Sequence, residues 1–143
     1  VDNQTPVVRG ILAAAHDTDT GTSAGLGILN ALLTYPTHLH AHRAIEFAGI
    51  PKEALLHACR HEEESPPHVW FERTEAELLG TAMSASHELG HNYIGARHLL
   101  LGLAAGEPGA TTSPPFRSVG VDYGAVRKAV TQTFATSGDP TLD

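Results

Sequence analysis

The sequence predicts an all-α fold built as two pseudo-symmetric repeats of about four helices each. Composition is the first ground. Alanine and leucine are abundant while aromatics make up only 6% of the 143 residues, a balance that favours helices over a β-sandwich. Internal repetition is the second. "TPVVRGILAAA" from Thr5 and "TEAELLGTAMSA" from Thr74 open alike, and Gly21 and Gly90 follow them at equal distances. Further on, "FAGIPKEALLHAC" (47–59) parallels "SVGVDYGAVRKAV" (118–130), Gly49 matching Gly120 after a two-residue insertion. Periodicity is the third, because Leu78, Ala82, Ala85 and Leu89 fall on one helical stripe.

Each element has its local reason. Thr5 is an N-cap, with Pro6 at the first helical position. Ile28, Leu29, Leu32 and Leu33 mark a central helix of the first copy. Ala41, Ile45 and Ala48 mark a third helix ending before Gly49, and Leu55, Leu56 and Cys59 a fourth. "RHEEESPPH" reads as a linker, from its charge run and its paired prolines. Repeat one is thus expected at about 4–60, the linker at about 61–70, repeat two at about 71–136 and a frayed tail at 137–143. In the second copy Thr74 and Glu77 form a capping box, and Gly90 stops the helix as a left-handed residue. The stretch 96–105 is apolar nearly all round and is expected at the centre. Prolines in "GEPGATTSPPF" (106–116) shorten the next helix. Asp122 caps a last one that buries Val126, Ala129 or Val130, and Phe134.

Composition also narrows function. The formal net charge is −7, and Lys52 and Lys128 are the two lysines. Acidic runs such as "HEEES" repel phosphate backbones, so nucleic acid is not an expected partner. No apolar run approaches the roughly 20 residues that span a bilayer, so no membrane association is expected. A single cysteine, Cys59, allows no internal disulfide and suits a reducing, cytoplasmic setting. Neither a signal peptide nor a lipidation motif is found, and a start at Val1 rather than Met suits a fragment. No G-x-x-x-x-G-K-[ST] occurs, which removes ATP hydrolysis by the P-loop route.

"HELGH" (87–91) spells the H-E-x-x-H signature of zinc peptidases, with His87 and His91 as ligands and Glu88 as base. That chemistry needs both histidines on one unbroken helix. Gly90 interrupts it, His87 lies about 200° around the helix from Ala85, and Gly95 and His98 come one residue late for the extended metzincin form. The zinc-hydrolase reading is therefore the weaker alternative. Likewise, "THLHAH" (37–42) would align His38, His40 and His42 only on a strand, and it leads into a helix. No catalytic residue, cofactor or metal site is expected.

"LGHNYIGARHLLLGL" (89–103) closely resembles the repeat of the Clp unfoldase N-terminal domain, whose usual form is L-G-H-N-Y-I-G-T-E-H-L-L-L-G-L. The resemblance continues through "VGVDYGAVRKAV" and, in a more diverged first copy, through "TPVVRGILAAA" and "AHRAIEFAGI". It implies two four-helix repeats and no enzymatic activity. It further implies binding of substrates, adaptors or degradation signals for an unfoldase that feeds a Clp protease. The family's Thr-Glu pair is Ala96-Arg97 here, and the matching place in the first copy falls near Leu26. Phosphoarginine recognition, which uses that acidic residue in some C-type relatives, is thus expected to be lost, because Arg97 reverses the charge and repels the guanidinium.

In actinobacterial relatives the surface between the repeat entrances receives cyclic-peptide antibiotics such as cyclomarin. The resemblance therefore makes Phe71, with Trp70 beside it, and Thr5 at the other entrance, the candidate ligand-binding residues. Plain packing of the linker is an equal reading for the two aromatics. Two parents fit: a full unfoldase, or a protein without ATPase modules that sequesters N-domain ligands. The diverged first copy and the lost acidic residue favour the second.

Overall fold

The computed structural model describes residues 4–17, 24–36, 39–63, 74–105 and 112–137. They form eight helices: α1 (Pro6–Asp17), α2 (Ala24–Leu33), α3 (His40–Phe47), α4 (Lys52–Glu63), α5 (Glu75–Glu88), α6 (Ala96–Ala104), α7 (Pro114–Ser118) and α8 (Tyr123–Ser137). No strand occurs among the described residues; the one β-type pairing is an isolated bridge between Gln4 and Ile94. The all-α expectation holds.

Local chemistry sets the helix ends. The Thr5 hydroxyl accepts the Val8 amide at 3.3 Å, and α1 buries Val8, Ile11, Leu12 and Ala15 along one stripe. At α5, Thr74 Oγ1 accepts the Glu77 amide at 3.2 Å while Glu77 Oε1 accepts the Thr74 amide at 3.3 Å. Both orphan donors are satisfied at once. Thr74→Ala is expected to cost about 1 kcal/mol, read as a lower urea midpoint at unchanged m-value. The Asp122 carboxylate accepts the Ala125 amide at 2.8 Å and starts α8. Gly90 ends α5 with φ +82, where a side chain would be strained. The His91 amide then donates to the Ser86 carbonyl at 2.9 Å, closing a Schellman-type turn.

α3 is capped differently. His42 lies in its first turn, where Nδ1 accepts the Leu39 amide at 3.1 Å and Nε2 donates to the Leu32 carbonyl, 2.7 Å away. One buried imidazole thus starts α3 and satisfies a carbonyl at the end of α2. That is where the second histidine of "HAH" goes; His38 lies outside the described residues.

Packing repeats as the sequence does. α1 packs on α2 as α5 packs on α6; α2 on α4 as α6 on α8; α3 on α8 as α7 on α4. α6 is the hub, touching α1, α2, α3, α5 and α8, and each of its nine residues is buried. α3 also reaches α6 and α4. α7 is only five residues long, with Pro114 in its first turn, as the prolines imply. α4 runs on to Glu63, into the segment that its charge run marks as linker.

Candidate functional site

Thr5 lies at the start of α1, only 4% exposed. Its amide donates to the Ile94 carbonyl at 3.0 Å while its hydroxyl caps α1. The entrance of the first repeat is therefore stitched to the loop that precedes α6. Thr5 acts there as a fastener, and its hydroxyl is already engaged. Trp70 and Phe71 lie outside the described residues.

The α5–α6 loop carries the histidines. The three residues of the "HELGH" motif go three ways. His87 is exposed on the last turn of α5. Glu88 pairs with Arg127 of α8. His91, beyond the glycine turn, has Nδ1 2.9 Å from His98 Nε2. Gly90 does end the helix, as its position suggests, so the i, i+4 geometry of a zinc peptidase is not formed. Among the described residues no three metal-ligating side chains converge.

His98 is fully buried in the first turn of α6. Its Nδ1 accepts the Gly95 amide at 2.9 Å, so the proton sits on Nε2 and is donated to His91 Nδ1. Tyr93 meets the His98 ring edge-on at a centroid distance of 4.9 Å, and Phe134 stacks on it at 5.3 Å. Burial, then the neighbouring His91 and Arg97, push its pKa down from 6.5 to about 3. His91 is lowered too, by burial first and by Arg97 second. At neutral pH both rings are uncharged.

Arg97 corrects an expectation. The sequence sets its charge where the family has an acidic residue, in a position to repel a guanidinium. Instead the side chain is 1% exposed, its guanidinium carbon lies 3.6 Å from the Phe134 ring centroid, and Nη1 reaches Thr133 Oγ1 at 3.4 Å. A planar, weakly hydrated cation over an aromatic face is an arrangement that tolerates burial. The charge is spent joining α6 to α8.

The Arg97–Phe134 stack and the His91–His98 pair are the features that sequence reasoning misses. Their partners sit on different elements, and no local spacing joins them. A basic residue inside the apolar run 96–105 was the one available hint of a buried charge.

Among the described residues, no helix is long and apolar enough to cross a membrane. Residues 71–139 match the family model of the Clp repeat N-terminal domain. No curated protein matches the chain. The family consists of non-catalytic domains that bind protein substrates and adaptors. Residues 71–139, just under half of the chain, are thus a segment of the Clp repeat N-terminal domain type.

Proposed function

We propose that this chain is a non-catalytic, cytoplasmic binding module that sequesters ligands of Clp N-domains: apolar peptide segments of substrates or adaptors, and cyclic-peptide antibiotics. Phe71 and Trp70 would supply aromatic contact area at the entrance of the second repeat, which suits apolar peptides. Thr5 would fix the position of the other entrance. The observation that carries the reading is the Clp repeat match over residues 71–139, because its family binds rather than cuts. The Thr5–Ile94 tie supports the placement, since it holds the α1 entrance against the second repeat. Components of the Clp protease are the partners this role would regulate.

Calorimetric titration of the chain with a cyclomarin-type cyclic peptide tests it. One-to-one binding is expected, weakened about tenfold or more in Phe71→Ala, as for loss of an aromatic anchor. No heat together with no change in melting temperature would refute the ligand assignment.

A further inference from the structure

We draw no further inference here: the strongest candidate, the mostly apolar cleft between α4 and α7 lined by Pro51, Ala54, His57, Ala58, Ser118 and Val119, carries nothing, because nothing in the structure shows what covers it.

Discussion

Gly102→Val is expected to destabilise the domain by on the order of 3 kcal/mol, a fall of about 10 °C in melting temperature. α6 crosses α5 at this residue. A Cβ built on Gly102 would stand 3.0 Å from the Leu78 carbonyl oxygen, 3.2 Å from the Ala82 amide nitrogen and 3.2 Å from Ala82 Cβ. Two of those three atoms are backbone, which cannot rotate away, so the helices must separate. Separation opens the contact through which Leu78 and Ala82, both fully buried, meet the hub helix. A branched side chain adds atoms to the same clash. Gly80 on α5 is the control, with nothing within 4 Å of its would-be Cβ. Gly80→Ala should gain roughly 0.5–1 kcal/mol from helix propensity alone. The two substitutions thus have opposite signs, and thermal melts of both variants read the contrast. A stable Gly102→Val would mean that α5 and α6 do not approach as closely as described.

The same crossing shows what the sequence can reveal. The apolar run from Ala96 announces a buried helix. Gly90 announces the turn before it, and Thr74 with Glu77 announces the start of α5. Each of these signals lies within a few residues, so a reader of the chain can find it. Gly102 looks like a helix-weakening residue until Leu78 and Ala82 are seen against it. Arg97 is a stronger instance. An arginine is expected at the surface, and nothing near it in the chain predicts the Phe134 face that receives its guanidinium. His42 looks like one third of a metal motif, yet it is a cap: Nδ1 accepts the Leu39 amide and Nε2 donates to the Leu32 carbonyl. Thr5 is legible as an N-cap from the Thr-Pro that opens α1, but the hydrogen bond from its amide to the Ile94 carbonyl joins residues far apart in the chain.

Acid sensitivity should come from His98. The unfolded chain takes up a proton on this ring near pH 6.5, whereas the folded state holds it neutral down to about pH 3. Between those values the unfolded state binds more protons, so stability falls as pH drops and is fully present above about pH 7. His91 is shifted in the same direction and adds to the loss. The cause is geometric. Protonation at Nδ1 would set a donor against the Gly95 amide, 2.9 Å away, and would place a buried charge beside Arg97. From pH 7 to pH 4.5 the wild-type chain is expected to lose about 2 kcal/mol, or roughly 6–8 °C. Most carboxylates are still ionised over the upper part of this range, which keeps their contribution small. His98→Gln isolates the effect, because glutamine at this helix position can still accept the N-cap amide and cannot titrate. Its absolute stability should be lower, through lost packing against Phe134 and Tyr93. Its melting temperature should nonetheless vary less with pH between 6.5 and 4.5 than that of the wild type. Parallel pH profiles would show that His98 does not carry the linkage, and acid lability would then have to arise from groups elsewhere in the fold.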